Sequence, residues 1–185
     1  MNGTGITDIK GNRRNPNVSL DRFWYALYTK PRHEFKAASY LSQLEIENYL
    51  PTIEVMKQWS DRKKKIVEPL FKSYIFIFGN EKERLQALQN DAVISTVSFQ
   101  GRPAKIPECQ ILNLKRLLEE KHEIFVSDLI EVGAKVKISE GPFSGVEGIV
   151  VQRDGKGQML GVSVDLLRRS VLVRLPKESI IKTIE

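Results

Sequence analysis

The sequence predicts an α+β fold: a split βαβ antiparallel sheet with helices, followed by a small β-barrel. Three observations predict it. Phe23-Trp24-Tyr25-Ala26-Leu27-Tyr28 and Ser73-Tyr74-Ile75-Phe76-Ile77-Phe78 have the length and residue types of buried strands. Between and after these runs, apolar residues recur at three- and four-residue steps, the period of a helix with one buried face. Past residue 131 the pattern changes to short β-branched stretches separated by Gly, Pro and Asp, as in small barrels.

Taken in order, residues 1–20 are polar, rich in Gly and Asn and without periodicity, which predicts a flexible arm. The aromatic run at 23–28 is the first strand. Pro31 opens a helix whose expected inner face is Phe35, Ala38 and Leu41, with Ala37 and Leu44 beside them. Residues 48–60 alternate well enough for one long strand, and Arg62, Lys63, Lys64 and Lys65 form a basic loop after Asp61. The run at 73–78 is a central strand. Asn80 caps a second helix, with Glu83 as reciprocal partner and Leu85 and Leu88 expected inside. Residues 93–99 return as a strand. After Pro107, Ile111, Leu114 and Leu118 mark a third helix. The order β-α-β-β-α-β puts helices on one sheet face and leaves the other for a partner or the third helix.

Residues 121–131 read as a linker. Five short strands follow, over 134–138, 148–151, 162–164, 170–173 and 180–181, with turns at 141–145 and 154–157. The expected organisation is therefore an arm over 1–20, a sheet domain over 21–120, the linker, and a barrel over 132–185.

Composition narrows the function classes. The 185 residues carry a net charge of +6, with 41% hydrophobic and 28% charged residues, an ordinary globular balance. The excess sits forward: residues 20–121 hold 17 basic and 13 acidic side chains, whereas residues 122–185 hold nine of each. That asymmetry suggests nucleic acid near the first domain and a protein partner for the second. No apolar run approaches the ~18 residues of a membrane span, and the start lacks a secretory apolar centre, so a cytoplasmic setting is expected. A lone cysteine, Cys109, forms no internal disulfide.

Catalysis is poorly supported. His33 and His122 lie far apart without metal-ligand spacing, Cys109 has no neighbouring partner, and Gly155 with Gly157 opens no phosphate loop. Neither a catalytic residue, a metal nor a cofactor is expected.

Two stretches carry a family resemblance. One is Trp24-Tyr25-Ala26-Leu27-Tyr28 with Glu68-Pro69-Leu70-Phe71-Lys72-Ser73-Tyr74-Ile75-Phe76. The other is Val132-Gly133-Ala134-Lys135-Val136 running into Gly141-Pro142-Phe143 and Gly148-Ile149-Val150. In this order and spacing, over about residues 22–184, they resemble the NusG family of transcription elongation factors, an NGN domain followed by a KOW barrel. Housekeeping members usually have Phe-Phe-Pro-Gly-Tyr where this chain has Leu70-Phe71-Lys72-Ser73-Tyr74. The Glu-Pro-Leu-Phe start is similar to RfaH-like paralogues, and Tyr28-Thr29-Lys30-Pro31-Arg32 to the UpxY-type antiterminators of capsular polysaccharide operons.

The resemblance implies an antiterminator that binds RNA polymerase. Tyr28, Phe71, Tyr74 and Phe76 match positions forming the apolar depression for the clamp helices. The same rings would serve equally as plain core; strand alternation separates the uses, placing Tyr74, Phe76 and Phe78 on one face and Ile75 and Ile77 on the other. Lys30, Arg32, His33 and Lys36 correspond to a region that meets the non-template DNA strand in RfaH-like proteins; a solvated helix face is the competing reading. Pro31 replaces a basic residue there, so base preference does not carry over. The RfaH-like His-Thr contact to the polymerase gate loop has no match near Arg84-Leu85-Gln86-Ala87. For the barrel the resemblance implies ribosomal protein S10 or the termination factor Rho, and the Val-rich strands favour a permanent barrel over a helical alternative. Two other readings remain: a general NusG factor, and a barrel protein of RNA or the ribosome, against which the neutral barrel charge weighs.

Overall fold

The computed structural model describes residues 21–59, 62–119, 123–128, 130, 133–153, 157–176 and 179–184. The arm expected over 1–20, Asp61 before the expected basic loop, His122 and most of the turn expected at 154–157 lie outside the described residues.

The first strand is β1 (Phe23–Thr29), followed by helix α1 (Glu34–Gln43). The single strand expected over 48–60 is two: β2 (Glu47–Tyr49) and β3 (Thr52–Gln58). Pro51 explains the break. It has no N–H for a ladder, and its carbonyl accepts a hydrogen bond from the Leu70 N–H at 2.8 Å. β3 turns away to pair with β4 (Lys63–Pro69) as a separate two-stranded ribbon. β5 (Tyr74–Gly79), helix α2 (Glu81–Ala87) and β6 (Val93–Thr96) come next. A small hairpin, β7 (Ser98–Phe99) with β8 (Arg102–Pro103), leads to β9 (Lys105–Ile106) and helix α3 (Glu108–Glu119).

The first sheet runs β2-β5-β1-β6, all neighbours antiparallel, with β9 also pairing β1. This is the split βαβ order. The side chains of Tyr25, Leu27, Ile75 and Ile77 form one core with Ala37 and Leu41 of α1 and Ala87 of α2. The opposite face carries Trp24, Ala26 and Phe76, packed in a second core with Ile111, Leu114 and Leu117 of α3.

Both short helices are rotated from their expected faces. In α1 the buried positions are Glu34, Ala37 and Leu41, while Phe35 is 48% exposed. Glu34 takes the inward place because its Oε1 accepts the Ser73 N–H at 2.7 Å. In α2 the expected capping box forms between Asn80 and Glu83, yet Arg84 faces inward and Leu85 is 50% exposed. Arg84 is held there by Glu81 and by a 2.9 Å hydrogen bond to the Thr96 hydroxyl, so its charge is compensated.

The second sheet has six strands rather than five. β10 (Ile124–Asp128), β11 (Ala134–Glu140), β12 (Glu147–Arg153), β13 (Gly157–Val164), β14 (Arg169–Arg174) and β15 (Ile180–Thr183) run in the order β10-β14-β13-β12-β11-β15. The extra strand is β10, from the stretch expected as linker. Ile124, Phe125 and Val126 are strong strand formers, and pairing with Val173, Leu172 and Val171 covers the edge of β14. Gly148 lies where the backbones crowd, since a Cβ there would sit 2.4 Å from the Gly161 carbonyl oxygen.

The core around α3 continues into the barrel through Val136, Ile138, Phe143, Leu160 and Val171. Polar bonds flank it. Gln110 donates to Asp165 Oδ2 at 2.7 Å and accepts from the Asp165 N–H at 3.2 Å, and Arg116 donates to the Gly145 carbonyl at 2.9 Å.

Candidate functional site

The register of β1 against β5 assembles the aromatic face. Trp24 opposes Phe78, Ala26 opposes Phe76, and Tyr28 opposes Tyr74. Cross-strand partners point to the same side, so these rings touch: Trp24 with Phe78 and Tyr28 with Tyr74 both stand 5.4 Å apart between centroids. Tyr49, opposite Phe76 on β2, extends the row, and Phe71 meets Phe76 edge-on at 6.2 Å.

α3 divides this face. Over its inner half the helix seals Phe76, which has no exposed surface, and Phe71 is only 4% exposed. The Lys115 ammonium lies 4.8 Å from the Trp24 ring and 5.1 Å from the Tyr49 ring, closing the margin. Burial raises the Tyr49 phenol well above its ordinary value, with Glu119 adding to the shift. The outer half stays open: Tyr28 is 37% exposed and Tyr74 half-buried. Of the aromatic residues singled out from sequence, Tyr28 and Tyr74 therefore present a surface, while Phe71 and Phe76 are the floor beneath it.

Lys30, Arg32, His33 and Lys36 gather directly after Tyr28, on the loop into α1 and its first turn. The loop is held by the Lys30 N–H donating to the Ala92 carbonyl at 2.9 Å and by His33 Nδ1, 3.0 Å from the Pro31 carbonyl oxygen that accepts from it. Arg32 has a φ of 65°, a tight left-handed bend that a two-residue turn requires. Lys30, Arg32 and Lys36 are exposed, and His33 is half-buried.

Sequence periodicity missed Glu34. A glutamate in a helix's first turn reads as a solvated dipole partner, and nothing local marks Ser73, thirty-nine residues away, as its target. The bond ties α1 to the turn at 70–73 and so sets the spacing of the basic loop from Tyr74. Elsewhere, the ribbon charges are largely paired, Lys57 with Glu68 and Lys65 with Glu54, and Lys64 lies 5.1 Å from the Trp59 ring. Near the expected gate-loop position Arg84 is buried. No group of three or more His, Cys, Asp or Glu among the described residues is placed to hold a metal, and no helix among them is long and apolar enough to cross a membrane.

The profile described as transcription termination factor nusG matches residues 22–115, more than half of the chain and all the elements from β1 through most of α3. The chain belongs to the NusG family. It is 27% identical over 147 residues to the transcription termination/antitermination protein NusG of Yersinia pestis, covering 73% of this chain and 77% of that one. Its identity to the same-named protein of Vibrio vulnificus is 28% over 141 residues, covering 70% and 73%. A solved structure concerning domain interaction in Thermotoga maritima NusG aligns over 89% of this chain and 98% of its own, with 21% identity and a TM-score of 0.49.

Positions 72 and 73 hold Lys and Ser, where the Pro-Gly of the housekeeping resemblance is missing. Ser73 nevertheless keeps a left-handed φ of 64°, the conformation for which glycine is the natural choice. The Glu34 bond to its N–H helps to hold a side-chain-bearing residue in that conformation.

Proposed function

We propose that this NusG-family chain is a cytoplasmic transcription elongation and antitermination factor, not an enzyme. It docks on the clamp helices of RNA polymerase through the open half of its aromatic face. The observation that carries the reading is the Tyr28–Tyr74 pair, cross-strand rings of which Tyr28 is exposed and Tyr74 half-buried, floored by Phe71 and Phe76. A helical pair offers an apolar ridge, and rings with two side-chain torsions cover it at low entropic cost. The basic loop at Lys30, Arg32, His33 and Lys36 then faces the non-template DNA strand. Grip on that strand is electrostatic and falls with salt.

Binding the closed, elongating polymerase better than the open, paused one would raise read-through, because only differential affinity shifts such an equilibrium. The Glu-Pro-Leu-Phe start at 68–71, with the Tyr28-Thr29-Lys30-Pro31-Arg32 segment, supports service to a long operon such as one for capsular polysaccharide. The neutral barrel would meet a protein, ribosomal protein S10 or Rho, rather than ribosomal RNA.

Two measurements test this. Tyr28→Ala with Tyr74→Ala should weaken binding to purified core polymerase about tenfold or more while leaving the circular dichroism spectrum intact. Full retained affinity would mean the docking surface is elsewhere. In run-off transcription through a long operon leader, wild-type protein should reduce pausing and raise read-through; unchanged profiles would refute antitermination.

A further inference from the structure

We infer that the groove between the first turn of α1 and the β3–β4 ribbon receives an unstacked base of single-stranded nucleic acid, with Phe35 as its stacking platform and Arg32 and Lys72 holding the flanking phosphates. This deepens the nucleic-acid contact proposed above and rests on it, but adds residues that lie outside the basic loop.

The groove encloses about 510 Å³, within the ~300–1,000 Å³ of small-ligand sites. Its apolar lining includes Phe35 of α1 and Ile66 of the ribbon, with Val67 at the edge. Phe35 is 48% and Val67 52% exposed, so neither is spent on the protein's own core. The Phe35 ring contacts no other ring among the described residues. Apolar side chains are scattered singly over most surfaces. Here Phe35 shares one groove with Ile66 and with Arg32, Lys57 and Lys72.

Charge identifies the occupant. Arg32, Lys57 and Lys72 line the groove. Two carboxylates face them: Glu34, which accepts the Ser73 N–H, and Glu68, which pairs with Lys57 and lies in the field of Lys72. Three cations against two carboxylates leave the groove net positive beside a flat apolar wall, next to Lys30 and Lys36 in the chain. A nucleotide supplies both complements, a π face for the ring and phosphates for the cations. A duplex keeps its bases stacked and has none to offer, so the strand must be single.

The groove also explains why Phe35 points outward. Glu34 occupies the inward position of α1, and the helical step of roughly 100° per residue then turns Phe35 towards the ribbon. The same bond that fixes the turn at 70–73 brings Lys72 to the opposite lip.

The test is fluorescence anisotropy of the full chain with labelled oligonucleotides of about twelve residues: single-stranded DNA, single-stranded RNA, an abasic DNA strand and a duplex. Wild-type protein should bind either single strand more tightly than the abasic strand or the duplex, and the DNA and RNA arms show which source is preferred. Phe35→Ala should weaken single-strand binding about five- to a hundredfold, as loss of one stacked base does, without changing the salt slope. Lys72→Ala should lower that slope by about 0.7, one phosphate's worth on a single strand. Phe35→Trp should restore binding, and unchanged thermal unfolding of each variant shows that the fold is intact.

If wild-type protein binds no single strand, the underlying nucleic-acid reading fails and the groove with it. If it binds, and Lys30→Ala with Lys36→Ala weakens it while Phe35→Ala and Lys72→Ala do not, only the groove is refuted. Loss of polymerase affinity in Phe35→Ala with oligonucleotide binding unchanged would make the groove a protein contact and overturn the proposal.

Discussion

Ser73 shows how much one backbone conformation asks of its surroundings. A residue with a Cβ in the left-handed region is strained by about 1–2 kcal/mol relative to its ordinary wells. Here φ is 64°, and the Glu34 carboxylate holds the N–H. Ser73→Gly should therefore stabilise the fold by up to about 1 kcal/mol, the relief of strain exceeding the added freedom of the unfolded chain. Urea unfolding would register it as a higher midpoint at constant slope, and a lower midpoint would show that the serine side chain contributes something else. Tyr49 makes a second prediction at this scale. Burial favours its neutral phenol, so above the ordinary tyrosine value near 10 the unfolded chain releases a proton that the folded chain keeps. The native state then binds more protons, and stability falls as pH rises through that range, by at most about 1.4 kcal/mol per unit. Tyr49→Phe should flatten the decline above pH ~10. Tyr25, also raised chiefly by burial, leaves a residual slope.

At the scale of elements, the local signals were legible where the chemistry that sets them is local. The Asn80–Glu83 capping box starts α2 as read, and Pro107 precedes α3. Strand alternation correctly put Ile75 and Ile77 beneath the helices and the aromatics on the other face. Helix rotation was not legible in the same way. Phe35-Ala38-Leu41 and Glu34-Ala37-Leu41 fit nearly the same period, and the choice falls to Ser73, whose place beside α1 depends on β5. Likewise Leu85 is the more apolar residue, yet Arg84 turns inward because Thr96 and Glu81 satisfy it. Residues 121–131 read as a linker in sequence; the open edge of β14 that makes β10 a strand is forty-odd residues away.

Across the whole molecule, α3 joins two sheets that share one core. Trp24 and Phe76 lie under one side of this helix and the barrel adjoins it, with Gln110 and Arg116 bonded across to Asp165 and Gly145. Full-length protein should therefore unfold in one transition, by Trp fluorescence and by far-ultraviolet circular dichroism alike. Each of these exposed hydrogen bonds contributes about 0.5–1.5 kcal/mol. Gln110→Ala with Arg116→Ala should thus separate the two curves, the barrel melting apart from the first sheet. Two distinct transitions already present in the wild-type chain would show that the shared core couples them too weakly. The arrangement also limits docking. A helical partner has only the Tyr28–Tyr74 half of the aromatic face available while α3 stays in place.

The sequence by itself determined the fold class, the order of the main strands and helices, the aromatic face and the basic loop beside it. These follow from residue type, period and turn chemistry within a few positions of one another. Only the tertiary structure decided which rings stay at the surface, how α1 and α2 are rotated, and that residues expected as linker close a sheet edge. Burial is a property of neighbours, and the neighbours that matter here come from distant parts of the chain: α3 over Phe76, Ser73 beside Glu34, β14 beside β10.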